Sequence, residues 1–263
     1  MPKELLSADR ILAGLTTSFV GRNLAYLPET GSTNAEARQL AEKGAPDGTL
    51  VVADHQTAGR GRLDRRWEAP PGSSLLLSLI FRPRLAPHQV QRLTMLGGLA
   101  AADAVEAETG LRMGLKWPND LMIGGAKTGG ILAEVELSGD LIRYALVGVG
   151  VNVNLDPEQL PGPLLTRATS LSHELGRPVA RLALLWAFLE AIETRYLTLG
   201  DSQPGLQAEW AERLVTLGQR VTISTGGAVW QGFAEGVDGD GALLVRRAGG
   251  ELERVMAGDV TVR

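Results

Sequence analysis

The stretch MGLKWPNDLMIGGAKTGGILAEVELSGDLIRYALVGVGVNV, residues 113–153, decides the fold. It holds four runs of strand-forming residues, Met113–Trp117, Leu121–Ile123, Ile131–Leu137 and Ile142–Val153. The breaks between them are short and carry Pro, Asn, Asp and Gly, which is hairpin chemistry. A strand-dense core of hairpins with flanking helices argues for an α+β mixed sheet rather than a doubly wound parallel one.

On the N-terminal side, residues 88–109 predict a helix stopped by Gly110, with a small-residue face (Gly97, Gly98, Ala100, Ala101, Ala104) suited to close packing. Ser73–Phe81 reads as a buried strand between Pro-Pro-Gly and Arg-Pro, and Thr49–Ala53 as a short β-branched strand. A helix follows Glu29-Thr30-Gly31, with Ser32 or Thr33 as its N-cap and Gly44 as its stop. Residues 5–15 form a short amphipathic segment that begins near Ser7.

On the C-terminal side, Leu155–Pro163 is a Pro-rich loop, and Val179–Leu197 and Gln207–Leu214 are helices. The texture then changes. Val221–Ser224, Ala228–Glu235, Ala242–Arg246 and Glu251–Val255 are short strands between Gly and Asp turns, the pattern of a small β-barrel. The expected domains are 1–215 and 216–263.

Bulk properties narrow the chemistry. With no cysteine among 263 residues, a thiolate metal site, a disulfide and a Cys nucleophile are excluded. The only histidines, His55, His88 and His173, lack ligand spacing, so no protein-bound metal is expected. There is no long apolar run, and Met1-Pro2-Lys3-Glu4 does not resemble a signal peptide, so no membrane association and a cytoplasmic location are expected. The net charge of −4 argues against a general nucleic-acid surface.

Positive charge is instead concentrated in Gly59-Arg60-Gly61-Arg62-Leu63-Asp64-Arg65-Arg66-Trp67. Guanidinium forks suit carboxylate and phosphate, and glycine permits close backbone approach, so the segment reads as a mobile anion-binding loop. Three other segments accompany it: Ser32-Thr33-Asn34 at a helix start, Lys116-Trp117-Pro118-Asn119-Asp120 in a sharp turn, and Lys127-Thr128-Gly129-Gly130 at the entry of a strand. Alone, the first two have ordinary structural readings, a cap and a turn. Two phosphate motifs fail. Gly124-Gly125-Ala126-Lys127-Thr128 lacks the P-loop glycines, and Gly148-Val149-Gly150-Val151-Asn152-Val153 lacks the third glycine of a dinucleotide fingerprint.

Together, Ser32-Thr33-Asn34, Gln56-Thr57-Ala58-Gly59-Arg60-Gly61-Arg62 with Trp67, Lys116–Asp120, Lys127 with Gly130-Ile131-Leu132, and Gly148–Asn152 resemble the bacterial biotin–protein ligases in order and spacing, over residues 5–263. The resemblance implies a mixed sheet related to class II aminoacyl-tRNA synthetases, followed by an SH3-like barrel. It also implies a two-step reaction. Biotin's carboxylate attacks the α-phosphate of ATP, brought with Mg²⁺, to give biotinyl-5′-AMP and pyrophosphate. A lysine of a biotin carboxyl carrier protein, as in acetyl-CoA carboxylase, then takes the biotinyl group.

The same resemblance assigns residues. Lys127 and Arg62 would bridge carboxylate and α-phosphate, Lys116 would sit on the phosphates, and Asp120 would orient or deprotonate the incoming lysine. Ser32, Thr33, Asn34, Gln56, Arg60, Gly61, Arg62, Lys127 and Gly130 would surround biotin. Arg62, Arg65, Trp67, Lys116, Asn119, Lys127 and Asn152 would hold the adenylate. Arg66 reads as a solvated charge.

Asp64 stands where the family usually has Gly, which implies altered ordering of the arginine loop. About thirty residues precede Ser32, too few for the winged helix-turn-helix of the repressor-type members, so a monofunctional ligase without DNA binding is expected. Some members dimerise, so a homodimer is possible. A lipoate ligase or octanoyltransferase is the alternative, but the latter's Cys and the former's Arg-Arg-X-Ser-Gly-Gly-Gly pattern are missing. A non-catalytic biotin-responsive regulator is the reading from another class.

Overall fold

All eight residues of Ser74–Phe81 are buried, so this run has no face for solvent and must be an interior strand covered on both sides. In the computed structural model, which describes residues 6–63, 65–159, 168–199 and 204–262, it is strand β5. Before it come α1 (Ala8–Ala13), β1 (Leu24–Leu27), α2 (Thr33–Glu42), β2 (Thr49–Ala53), β3 (Gly59–Arg60) and β4 (Arg66–Trp67). After it come α3 (Gln91–Thr109), β6 (Gly114–Lys116), β7 (Asp120–Ile123), β8 (Ala126–Ser138), β9 (Leu141–Asn152), α4 (Leu171–Leu175), α5 (Arg181–Leu197) and α6 (Pro204–Arg213).

Seven strands form one mixed sheet in the order β1-β2-β5-β9-β8-β7-β6. Only β1 and β2 run parallel; the other neighbours are antiparallel. Residues 113–153 thus supply one side of this sheet as consecutive hairpins, as their turn chemistry requires.

The period of two along each strand separates two faces. Leu75, Leu77, Leu79 and Phe81 with Val147, Val149 and Val151 join the main core together with residues of α3 and α5. Gly97 lets α3 press onto this face, because a Cβ there would lie 3.2 Å from both Ile131 and Val147. On the opposite face, Ile80, Tyr144 and Leu146 pack with Ala37 and Ala41 of α2. At one end of that second face the side chains become small or polar: Ser74, Ser78, Gly148, Gly150 and Asn152. This is where the motifs gather.

Strand β8 begins at Ala126 rather than Ile131, so Lys127–Gly130 lies within the strand instead of leading into it. Its pairing with β7 shifts register: Leu121 faces Gly129 while Met122 faces Lys127, leaving Thr128 as the extra residue of a bulge. Strand β1 and the helix α4 were not expected from the sequence. Each of the four residues of β1 is half-buried, so there is no alternation to read. The helix α4 spans only five residues, between Ser170, whose hydroxyl accepts the His173 N–H, and Gly176 at positive φ.

The C-terminal strands β10 (Arg220–Thr225), β11 (Ala228–Val237), β12 (Leu243–Arg246), β13 (Leu252–Val255) and β14 (Asp259–Val262) form an all-antiparallel sheet in the order β13-β12-β11-β10-β14. It agrees with the separate small β module expected from the turn spacing and with the SH3-like form that the resemblance implies. Trp117 fastens it to the main sheet. That side chain is buried, its indole N–H donates to the Gly241 carbonyl at 2.9 Å, and its backbone N–H donates to the Thr216 hydroxyl at 3.0 Å. Among the described residues no helix is long and apolar enough to cross a membrane.

Candidate active site

Ser32 occupies the N-cap position of α2 with extended backbone, yet its side chain makes no capping bond. The expected cap is supplied from elsewhere. Gln56 Oε1 accepts the Thr33 backbone N–H at 2.7 Å and lies 3.0 Å from the Thr33 hydroxyl. A bond from Thr30 N–H to the His55 carbonyl, and bonds from Thr57 and Ala58 N–H to the Thr30 and Gly31 carbonyls, hold the two segments side by side. The buried Ser32 hydroxyl therefore remains available beside a helix N-terminus.

Asp54, two residues before Gln56, is anchored by Arg181 at the start of α5 at 2.6 Å, and Tyr26 donates its hydroxyl to the same carboxylate at 2.6 Å. Burial, together with the hydrogen bond and charge of Asp54, pushes the Tyr26 hydroxyl up to about 12 against the opposing pull of Arg181, so it stays a donor. From Gln56 a polar string runs across the sheet. The Ser78 hydroxyl lies 2.8 Å from that of Thr33 and donates to Asn34 Oδ1 at 2.5 Å, and Asn34 Nδ2 donates to Glu134 at 2.7 Å.

The arginine segment is not a bare loop. Strands β3 and β4 pair as a small hairpin, Gly59 with Trp67 and Arg60 with Arg66. Gly61 N–H donates to the Arg65 carbonyl at 2.7 Å, and Leu63 at the tip takes positive φ. Asp64 lies outside the described residues. Gly59 has to be glycine, because a Cβ there would sit 2.5 Å from the Trp67 carbonyl oxygen.

Each hairpin arginine has a different partner. Arg60 reaches Glu134 at 3.4 Å, Arg62 donates to the Gly258 carbonyl at 3.3 Å, and Arg65 pairs with Asp259 of β14. Arg66 is exposed and reaches the Thr57 carbonyl at 3.4 Å. Burial pulls the Arg62 guanidinium below its ordinary range while Asp259 and Asp120 oppose it. A guanidinium so displaced is still a cation at neutral pH.

Trp67 lies against Gly150, where a Cβ would come 2.9 Å from the indole ring, and its Nε1 is buried with no hydrogen-bond partner among the described residues. Gly148 leaves the equivalent space for the Asn34 amide. The rejected Gly148-Val149-Gly150 motif thus has a packing purpose. Its glycines let two site side chains lie flat on the sheet.

The turn between β6 and β7 brings Lys116 opposite Asp120, and Asp120 forms an ion pair with Lys127. Lys116 makes no ion pair among the described residues. Gly130 leaves room for the Lys127 side chain, whose Nζ would stand 3.8 Å from a Cβ there. Thr169 N–H donates to the Lys127 carbonyl at 2.9 Å, tying down its backbone.

Two assigned ligands have their amides engaged within the protein. Asn119 Nδ2 donates to the Ile131 carbonyl at 2.7 Å, and the Ile131 N–H returns to the Asn119 carbonyl at 2.9 Å. Buried Asn152 donates to the Thr169 carbonyl at 3.1 Å. Sequence reasoning missed Ser78, Glu134, Asp54, Arg181 and Asp259. A serine inside Leu75–Phe81 and a glutamate inside Ile131–Leu137 were the only visible signs for the first two. The rest depend on partners far away in the chain.

The site therefore combines a polar pocket at a helix start, a cation held by a carboxylate, and a cationic hairpin beside an indole, all at one end of one sheet face. Residues 26–152 match the biotin/lipoate A/B protein ligase family, and residues 216–263 match the biotin protein ligase C-terminal domain. The chain is 36% identical to the bifunctional ligase/repressor BirA of Bacillus subtilis over 97% of its own length and 78% of that protein's. It is 37% identical to a biotin–[acetyl-CoA-carboxylase] ligase of Mycobacterium tuberculosis, over 91% of this chain and 88% of the relative. The solved biotin protein ligase of Aquifex aeolicus in complex with biotin and ATP superimposes with a TM-score of 0.76 at 29% identity, covering 92% of this chain and 99% of that one. The chain belongs to the biotin protein ligases.

Proposed function

We propose that this protein activates biotin with ATP to biotinyl-5′-AMP, releasing pyrophosphate, and then passes the biotinyl group to a lysine of a biotin carboxyl carrier protein. Residues 1–215 would perform the chemistry, with 216–263 packed against them. The observation that carries the reading is the convergence of Lys127, Arg62 and the Thr33–Gln56–Asn34 network on one end of one sheet face, with Gly148 and Gly150 making room for it.

A carboxylate and a triphosphate repel, so the reaction needs fixed cations where negative charge builds up. Lys127 and Arg62 would stand at the carboxylate and α-phosphate, with Lys116 on the phosphates and Mg²⁺ arriving with ATP as part of that substrate. The polar string would hold the uncharged end of biotin, with Ser32 as an added hydroxyl. Arg65, Trp67 and Asn152 would hold the nucleotide, the indole face serving as a stacking surface.

Asp120 has a part in each half-reaction. Paired with Lys127, it keeps that ammonium in place. Once the substrate anions draw Lys127 away, the carboxylate is free to take a proton from the acceptor lysine, whose amine attacks the biotinyl carbonyl and expels AMP. The hairpin would cover the mixed anhydride and keep water out.

Biotin-dependent exchange of pyrophosphate into ATP tests the first half, and streptavidin detection of a labelled carrier domain tests the second. Lys127→Ala should lower exchange by about 100- to 1,000-fold, the usual consequence of removing one preorganised electrostatic contact. Exchange driven by lipoate but not by biotin would overturn the assignment.

A further inference from the structure

Glu134 lies on β8 on the same sheet face as Gly130, four residues beyond it, and two other elements converge on it, α2 through Asn34 and Arg38 and β3 through Arg60. Oε2 accepts from Asn34 Nδ2 at 2.7 Å and from Arg60 at 3.4 Å; Oε1 accepts from Arg38 at 3.3 Å. We propose that Glu134 is a positioning residue that sets the hydrogen-bond polarity of the biotin pocket and ties that pocket to the root of the arginine hairpin. The pocket half of this inference rests on the ligase reading above; the hairpin half does not.

The polarity argument follows from what each group can donate. An ionised carboxylate only accepts, so Asn34 must turn its NH₂ toward Glu134 and its Oδ1 toward the sheet. There Oδ1 takes the single proton of Ser78. With that proton committed, the one hydroxyl proton of Thr33 has two acceptors in reach, Ser78 Oγ at 2.8 Å and Gln56 Oε1 at 3.0 Å. Thr33 in turn has Gln56 Oε1 fixed beside it by its own backbone N–H. One carboxylate at the far end therefore decides how the Asn34 amide is turned and, through it, where the Ser78 proton points. Gly148 supports the arrangement by leaving the Asn34 amide flat against β9.

The tie to the hairpin is the Arg60 contact. Arg60 pairs with Arg66 at the base of β3 and β4, so a hold on its guanidinium acts on the hairpin's root rather than its tip. Removing Glu134 would loosen that root and let Asn34 rotate in the same step.

The experiment compares wild type, Glu134→Gln and Glu134→Ala in three measurements on the full chain. These are biotin affinity by calorimetry, the KM values for biotin and ATP in pyrophosphate exchange, and the rate of tryptic nicking after Arg60, Arg62, Arg65 and Arg66 without ligand. Glu134→Ala should weaken biotin binding by about tenfold or more, the scale of one hydrogen bond to a charged group, and raise the biotin KM more than that for ATP, which feels only the looser hairpin. Glu134→Gln keeps an acceptor for Asn34 and should stay within about threefold for biotin. Its amide no longer attracts Arg60, so both variants should be nicked about two- to fivefold faster, the range of a partly exposed ion pair.

Wild-type biotin affinity in Glu134→Ala overturns the pocket assignment, and so do equal rises in both KM values. Unchanged nicking in both variants overturns the hairpin assignment. If Glu134→Ala fails to fold, Glu134→Gln carries the nicking test and Asn34→Ala the affinity test. A wild type that binds no biotin, with faster nicking in the variants, would instead sink the ligase reading and leave the clamp standing.

Discussion

Replacing Arg181 by Met removes the cation that fixes the segment leading to Gln56. The Arg181 side chain is 1% exposed and that of Asp54 14%, so Arg181→Met leaves a carboxylate largely out of water without its ion-pair partner. Breaking such a pair from one side costs about 3–5 kcal/mol. Asp54 retains the Tyr26 hydroxyl at 2.6 Å, which places the expected loss near the lower end, about 3 kcal/mol. With an unfolding entropy of roughly 2.1 cal/mol/K per residue over 263 residues, that corresponds to a fall in Tm of about 5 °C. The Ser74 carbonyl, 3.3 Å from the same guanidinium, also loses a donor.

Thermal and urea unfolding of Arg181→Met, Asp54→Asn and the double variant measure this as a cycle. The double variant should recover most of the loss, because neither buried charge remains. Biotin KM should follow the same order, since Asp54 stands two residues from the side chain that caps α2. A loss under about 1 kcal/mol in Arg181→Met, or a double variant no more stable than that single one, would refute the reasoning.

Gly150→Ala puts a Cβ 2.9 Å from the Trp67 ring, so the indole must move; the KM for ATP should rise while that for biotin holds, and an unchanged ATP KM would separate Trp67 from the nucleotide. Trp117→Phe strands the buried Gly241 carbonyl and should cost about 1–3 kcal/mol, seen as earlier unfolding of the C-terminal sheet in hydrogen exchange. Glu193 gives a pH prediction. Burial would raise its carboxyl, but the N–H groups of Phe19, Ser18 and Val20 and the Ser18 hydroxyl overcome that and hold it below its ordinary value of 4.5. A lowered value stabilises the fold above the ordinary carboxylate range and loses that contribution as pH falls through the folded value. Wild type should therefore lose more stability than Glu193→Gln below that range in acid unfolding series, and parallel curves would contradict it.

Local chemistry made much of this protein readable from the chain. Hairpin spacing in 113–153 announced an antiparallel half-sheet, Gly and Asp turns after residue 218 announced a second module, and a cluster of guanidiniums announced anion binding. All three are signals between near neighbours, carried by side-chain period or turn preference. Tertiary structure alone decided how those signals combine. Trp117 meets Gly241, Asp54 meets Arg181 and Asn34 meets Glu134 across separations of 124, 127 and 100 residues. Contacts at that distance leave no local period in the sequence, because only the pairing of strands brings their ends together. For the same reason Gly148 and Gly150 read as a failed nucleotide motif until the sheet set Asn34 and Trp67 upon them.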